Sequence, residues 1–388
     1  PAGVSDMTLH YAVGSDDFVA VPMTLDVDGR FRGSIPGQAN NATVQFYVNG
    51  RDQQGAESQF PTGGANSRAL YTVATPLENE TGHGIRVIMT RPDISTLHRS
   101  ENVMSNDRLG ATVIYNDTEV FYDVGVRLRA SGFGRRGQLA GFNIQFDPQQ
   151  LFRGVHQTIA LDRGAVFSNG NGGGVRGVPG ASAHELLIYQ VANHAGGIAG
   201  MYDDVVYVDA PRGANTGMAL LKMARYSDVF LESFFEDGGE GSLFKYELIY
   251  HSNRTRDGDP ESLKQPPDSV VATDISDLGG SKEPYRYNFI LKNNRAADDY
   301  QGIISLGQAF SQSGQALDTA SQEIMDLDAW MRTFALQSLV GTADTYNMGL
   351  AHNLELFVRP DGKVVPLPWD VDHGFFYPTN SNILGRGG

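Results

Sequence analysis

The chain has 388 residues, 40% of them hydrophobic and 10% aromatic, enough to bury a real core and to build two or three domains. Asp and Glu number 45 against 30 Lys and Arg, and the formal net charge of −15 argues against a nucleic-acid or anionic-membrane partner. Cysteine is absent, which excludes disulfides, thiolate zinc sites and a cysteine nucleophile, so any metal must be held by oxygen or histidine.

No apolar run is long enough to span a bilayer, and the first residue is Pro1 rather than Met, so the start reads as processed or truncated. In "MTLHYAV", "FVAVPMTLDV", "RFRGSIPG" and "ATVQFYVNGRD", polar and apolar residues alternate between the turn signals Asp28-Gly29, Pro36-Gly37 and Asn49-Gly50. That alternation predicts a β-sandwich over residues 1–75, opening so directly on a strand that strands upstream of it are expected to be missing.

A polar connection leads to "IRVIMT", "ATVIYND" and "EVFYDVGVRLRA", which predict further strands. Gly132, Gly134 and Gly137 then spell G-x-G-x-x-G. A dinucleotide fingerprint needs a helix straight after the third glycine, but Phe142, Ile144 and Phe146 alternate as a strand does. The stretch is therefore a hairpin, either a phosphate cover carrying Arg135 and Arg136 or a bare flexible connection.

Helical spacing arrives in "ASAHELLIYQVANHAGG", where Ser182 and Glu185 have the spacing of a capping box and Gly196-Gly197 is the stop. "DDVVYVDA" and "GMALLKMARY" predict a strand pair, and "SDVFLESFFEDGGEGSLFKYELIYH" a short helix, a glycine turn and a strand. Residues 252–285 are polar, Pro-rich and acidic and read as an insertion or long loop. Helices are expected in "ADDYQGIISLGQAFSQSG" and "DLDAWMRTFALQSLVGTAD", then strands in "NLELFVRP" and "KVVPLPWDVD" joined at Pro360-Asp361-Gly362. The predicted fold class is α+β.

The chemistry concentrates in "GTADTYNMGLAHNLELFVRPDGKVVPLPWDVDHGFF", which supplies Asp344, Asn353, Asp370 and Asp372 from a helix end, a loop and a hairpin. Such oxygen donors suit Mg²⁺, Mn²⁺ or Ca²⁺, while the bland alternative is capping and turn chemistry. Helix, Asp, Asn, hairpin, Asp is also the order in which a protein kinase presents its catalytic and metal-binding groups.

On these residues, with "VGVRLRASGFGRRG", "GFNIQFD", "ELLIYQVANHAG", "LLKMARYSDVFLESFF" and "GSLFKYE", the chain resembles the spore-coat CotH kinase-like family over residues 85–388. The resemblance implies an atypical, two-lobed protein-kinase-like domain over residues 76–388, using ATP with Mg²⁺ or Mn²⁺ to phosphorylate Ser or Thr of an extracellular or coat protein. It implies Asp344 as the catalytic aspartate, Asn353 and Asp370 as metal ligands, and Asp372 as a further ligand. Glu185 would be the partner of a nucleotide-binding lysine, and Gly132, Gly134 and Gly137 with Arg135 and Arg136 would cover the nucleotide. The sandwich before it resembles the immunoglobulin-like or fibronectin-like modules of secreted bacterial proteins. A secreted or cell-surface location, with a protein substrate or a surface or matrix partner, is expected.

Several features depart from the family pattern. Kinase-like domains carry a lysine soon after the glycine loop, whereas here no lysine precedes Lys222, so phosphate charge would fall to Arg135, Arg136, Arg153 or Arg163. Nine residues separate Asn353 from Asp344, against about five in protein kinases, which makes Asn347 a rival ligand. The family continues with helices beyond "PWDVD", and that part is expected to be absent or cut away. These departures keep open a second function, a catalytically inactive kinase-like surface or matrix protein that assembles with other surface proteins and holds a structural Ca²⁺. A hydrolase built on the same acids ranks last, for want of a nucleophile or acid/base pair. His352 and His373 are expected as hydrogen-bonding neighbours of the aspartates, and Trp330 and Trp369 as core.

Overall fold

The structure is a computed structural model that describes residues 3–73, 83–130, 135, 137, 140–163, 184–251 and 269–375. The described residues fall into two compact units, one within Pro1–Gly164 and Val205–Leu221, the other within Ala165–Asp204, Lys222–Asn253 and Pro267–Gly388. The architecture is mixed α+β, the class the sequence pattern predicts.

In the first unit, β1 (Val4–Val13) pairs antiparallel with β2 (Val19–Pro22), and β3 (Thr24–Leu25) with β4 (Phe31–Arg32) makes a separate ladder. On the other side of β1 lies β5 (Thr43–Asp52), which carries β6 (Glu57–Phe60) and β7 (Leu70–Thr72). Leu9, Ala12, Val44 and Leu70 are the buried side chains of this sheet.

Asn49-Gly50, read from sequence as a turn, lies inside β5. Each is paired on both sides, Asn49 with Thr8 and Gln59, Gly50 with Met7 and Ser58, so the chain has no room to reverse there. The reversal comes at Asp52, whose Oδ1 accepts from the Gln54 and Ala56 amides at 2.9 and 2.8 Å, while Gly55 supplies a φ of +86°.

The next strands are β8 (Gly84–Ile88), β9 (Leu109–Tyr115), β10 (Glu119–Arg129), β11 (Gly141–Gln145), β12 (Thr158–Asp162), β13 (Tyr202–Asp209) and β14 (Gly217–Ala224). They close a barrel in the order β10-β11-β12-β14-β13-β8-β9, which leaves no strand edge unpaired around its circumference. A short helix, α1 (Arg91–Leu97), follows β8 and begins with Thr90 capping the Asp93 amide.

The glycine stretch joins β10 to β11, an antiparallel pair whose register ends at Arg129 opposite Gly141. It connects two antiparallel strands, which rules out the strand-to-helix geometry of a dinucleotide fingerprint. The N-terminal sheet belongs to the same compact unit as β8 to β12 and the Val205–Leu221 part of β13 and β14. The Asp123 carboxylate accepts from Ser67 Oγ at 2.7 Å and from the Arg68 amide, and Leu70 N donates to Thr112 Oγ1 at 2.8 Å.

In the second unit, α2 (His184–Ala195) and α3 (Asp228–Phe234) lie on one face of an antiparallel sheet. Its strands are β15 (Ser242–Tyr246), β18 (Phe289–Leu291), β19 (Leu354–Val358) and β20 (Val364–Pro368), in the order β18-β15-β19-β20. Leu243, Phe357, Val365 and Leu367 meet Ile188, Tyr189 and Phe230 on that face. Phe244, Tyr246, Leu354, Leu356 and Val364 point the other way, as period-two alternation requires, and meet Ile303 and Leu306 of α4 (Gln301–Phe310).

α5 (Gly314–Ile324) buries no residue, and α6 (Leu327–Leu339) is anchored by Trp330, whose Nε1 donates to Val364 O at 2.9 Å. Part of the stretch read as a long loop is structured. Residues 252–268 lie outside the described residues, but β16 (Ile249–His251) pairs with β17 (Ser269–Val271), and Ile275 and Tyr285 are core. A few apolar side chains spaced along a polar segment suffice to fasten it, and their spacing has no period to read.

Gly141 shows how tightly the barrel is closed, since a Cβ built there would stand 2.0 Å from the Leu161 carbonyl oxygen. Gly141→Ala is therefore expected to destabilise the protein by about 2–3 kcal/mol, read as a lowered denaturant midpoint, because the obstacle is backbone and cannot swing aside.

Candidate functional site

The buried face of α2 is set by Glu185, Ile188, Tyr189 and Ala192, a spacing that puts all four on one stripe. Three of these fit an apolar core and the carboxylate does not. It is satisfied by Lys222 near the end of β14, whose Nζ lies 2.5 Å from Glu185 Oε1, with both side chains fully buried. Glu185 is thus engaged with a lysine, and Ser182, its expected capping partner, lies outside the described residues. The resemblance-derived role for Glu185 asked for a lysine, and sequence reasoning passed over this one because it follows the helix. The readable signal was a lysine embedded in the apolar run "MALLKMA".

Around this pair stands further charge. The Trp369 ring is approached by Lys222 Nζ at 5.9 Å, Arg225 Cζ at 5.3 Å and Lys245 Nζ at 5.5 Å from its centroid. Lys245 is bonded to Glu247 and lies opposite Glu355 in the strand register. Burial drives the Glu355 carboxyl above its ordinary pKa despite the pull of Lys292, Arg225 and Lys245, with Glu247 adding to the rise. Glu247 stays below its ordinary value, since the attraction and hydrogen bond of Lys245 outweigh burial. Neither Arg225, Lys245 nor Glu355 was legible as a site residue from spacing alone.

Asp344 follows α6 by a short turn, and Asn353 opens β19. The nine-residue step between them is taken up by a 3-10 turn over Tyr346–Met348 and by Gly349 at φ +82°. Asn353 Nδ2 returns to Asp344, donating to its carbonyl at 2.8 Å and reaching its Oδ2 at 3.4 Å. The rival Asn347 accepts from Thr345 Oγ1 at 2.6 Å and donates to Ser338 Oγ at 3.3 Å. His352 Nε2 stands 3.1 Å from Asp344 Oδ1. Burial works to raise the Asp344 pKa, but the His352 hydrogen bond and the charges of His352 and His373 hold it below the ordinary value.

Asp370 lies two residues beyond β20, in a segment tied to the end of α6 by Ala343 N donating to His373 O at 3.0 Å and Phe375 N to Val340 O at 2.6 Å. Asp344, Asn353 and Asp370 all adopt the left-handed conformation, with φ of +61°, +54° and +55°. Asp and Asn tolerate that region best, and Asn294 and Asp298 share it away from these residues, so conformation alone does not mark them. Asp372 Oδ1 stands 4.0 Å from His373 Nε2.

In the glycine stretch, Gly132, Gly134 and Arg136 lie outside the described residues. Arg135 donates to the carbonyls of Ala130, Val103 and Ser105 at 2.9, 3.2 and 3.4 Å, and Gly137 O accepts from Asn215 Nδ2 at 3.4 Å. Arg153 bonds the Tyr115 hydroxyl and lies 3.1 Å from His83 Nε2, while the buried Arg163 donates to Met218 O at 2.5 Å. The arginines described here thus brace backbone and aromatic groups of the first unit, and the lysine that meets Glu185 belongs to the second.

Among the described residues no group of three or more His, Cys, Asp or Glu side chains is placed to hold a metal ion. Asn353 and Asp370 are oxygen donors of the kind that hold Mg²⁺, an ion that keeps waters and substrate phosphates as its other ligands. Compared with models of known protein families and with curated proteins, the chain matches none.

Two outcomes are expected. Lys222→Met leaves a buried carboxylate without its ammonium and should cost about 3–5 kcal/mol in denaturant unfolding, with much of the loss recovered in Lys222→Met/Glu185→Leu. His352→Ala should raise the Asp344 pKa, followed by carboxyl-carbon NMR. In the unaltered protein the depressed value means a contribution to stability that is full above about pH 4 and lost as pH falls through the folded pKa.

Proposed function

We propose that the chain is a secreted, atypical kinase-like protein that transfers the γ-phosphate of ATP to a Ser or Thr hydroxyl of an extracellular or surface protein. In this reading the N-terminal strands are an immunoglobulin-like module and the remainder is a two-lobed kinase-like domain. The observation that carries it is the buried Lys222–Glu185 pair, in the compact unit that also holds Asp344, Asn353 and Asp370. A kinase needs a lysine fixed by a helix glutamate to receive nucleotide phosphates, and the resemblance had lacked that lysine.

The division of labour follows from the residues. Lys222, held by Glu185, meets phosphate charge. Asn353 and Asp370, with Asp372 adjoining, would hold Mg²⁺ or Mn²⁺, which would supply positive charge against the phosphates. Asp344, kept ionised by His352, accepts the hydroxyl proton of the acceptor and aims its oxygen at the phosphorus. Among the described residues no helix is long and apolar enough to cross a membrane, which is compatible with a secreted chain.

Incubation with labelled ATP and Mg²⁺ or Mn²⁺ should label the protein or a surface partner. Asp370→Ala should abolish labelling while the fold, judged by circular dichroism, persists. Absence of labelling across metals and acceptors, together with no nucleotide-dependent rise in melting temperature, would leave the non-catalytic surface or matrix role as the reading.

A further inference from the structure

Pro368 ends β20 two residues before Asp370, and its carbonyl oxygen collects two buried phenols. Tyr226 Oη lies 2.6 Å from it and Tyr189 Oη 3.2 Å, the first from the loop after β14 and the second from α2. Each phenol has one proton to give. Tyr226 also stands 3.0 Å from Ala199 O, but the Pro368 contact is the shorter. Both must donate as neutral phenols, and both do. Burial pushes each well above the ordinary phenol pKa, reinforced for Tyr189 by Glu185, Tyr226, Asp203 and Asp370, and for Tyr226 by Glu355, Asp203 and Glu185.

The segment that follows is held on its far side as well. Gly374 approaches α2 so closely that a Cβ there would meet Ile188 Cδ1 at 2.2 Å, and the His373 carbonyl and Phe375 amide are bonded to the end of α6. Between these fixings Asp370 takes φ +55°, in the left-handed region that aspartate tolerates. Tyr189 lies one helical turn after Glu185 on the same face of α2, so the helix that holds Lys222 also holds the carbonyl ahead of Asp370.

We propose that Tyr189 and Tyr226 are positioning residues that clamp the Pro368 carbonyl and so set the direction of the Asp370 carboxylate, coupling it to the Lys222–Glu185 pair. The proposal rests on the reading of Asp370 as a metal-binding residue, and its test separates the two.

Trp369 lies inside the clamped segment, and Trp330 is the other of the 2 tryptophans, so fluorotryptophan labelling gives one reporter and one internal control for ¹⁹F NMR. Tyr189→Phe and Tyr226→Phe remove only hydroxyls. Each should move the Trp369 resonance and raise the Mn²⁺ concentration for half-maximal ATP-dependent labelling about fivefold, the worth of one ordinary hydrogen bond, with the KM for the acceptor unchanged. Tyr300→Phe is the control, a buried phenol 3.1 Å from the Phe289 carbonyl, expected to lower the melting temperature without either effect. If both clamp variants behave as Tyr300→Phe does, the clamp is overturned. If the unaltered protein shows no metal or nucleotide response, the kinase-type reading falls, and the Trp369 resonance alone decides the clamp, a shift supporting it and no shift overturning it.

Discussion

A carboxylate and an ammonium removed from water each lose several kcal/mol of solvation, and the buried contact between Glu185 and Lys222 returns part of it to both. That requirement fixes more than a contact. α2 must be rotated so that Glu185 points inward with Ile188, Tyr189 and Ala192, and the end of β14 must deliver Lys222 to the same depth. Once both are set, the Trp369 indole is already flanked by a cation, and the aromatic ring, Arg225 and Lys245 complete a charged interior that an apolar core would not tolerate unpaired.

The sheet of the second unit shows how one set of strands serves two environments. One face is apolar throughout its contact with α4 and with Trp330. The opposite face begins as core at Leu243, Phe357 and Val365 and turns charged at Lys245 and Glu355. The change happens along single strands, so the charged end of the sheet is built on the same rungs that stabilise it. Rigid elements of this kind hold side chains more closely than loops do.

Much of this was legible. Alternation located the strands flanking the glycine stretch, and the Pro360-Asp361-Gly362 turn located the β19–β20 hairpin because each signal has a local cause. Asp344 and Asn353, proposed from their order alone, do come together. What escaped was non-local. Asn49-Gly50 has the chemistry of a turn but is trapped between two neighbouring strands. α5 went unnoticed because it buries nothing, and α1 because seven residues give too few turns to show a period. Lys222 was visible as a residue and invisible as a partner, since sequence order placed it after the helix it serves. Glu355 is a carboxylate in a strand whose alternation says nothing of what covers it, and in the fold it is buried opposite Lys245.

The β19–β20 pairing places Leu354 opposite Pro368, so Asn353 and Trp369 leave the ladder on adjacent strands at the same end. Their separation is then a property of strand spacing, independent of how the chain travels between Asp344 and Asn353. The connection before β19 can lengthen or shorten over evolutionary time without respacing the hairpin's two donors. The tight reversal at the hairpin's other end has less freedom, because a slip of the β19–β20 register by one residue would offset Asn353 from Trp369 along the strands. The turn at Pro360-Asp361-Gly362, at the far end of the hairpin, is thus the gauge by which the acidic end is measured.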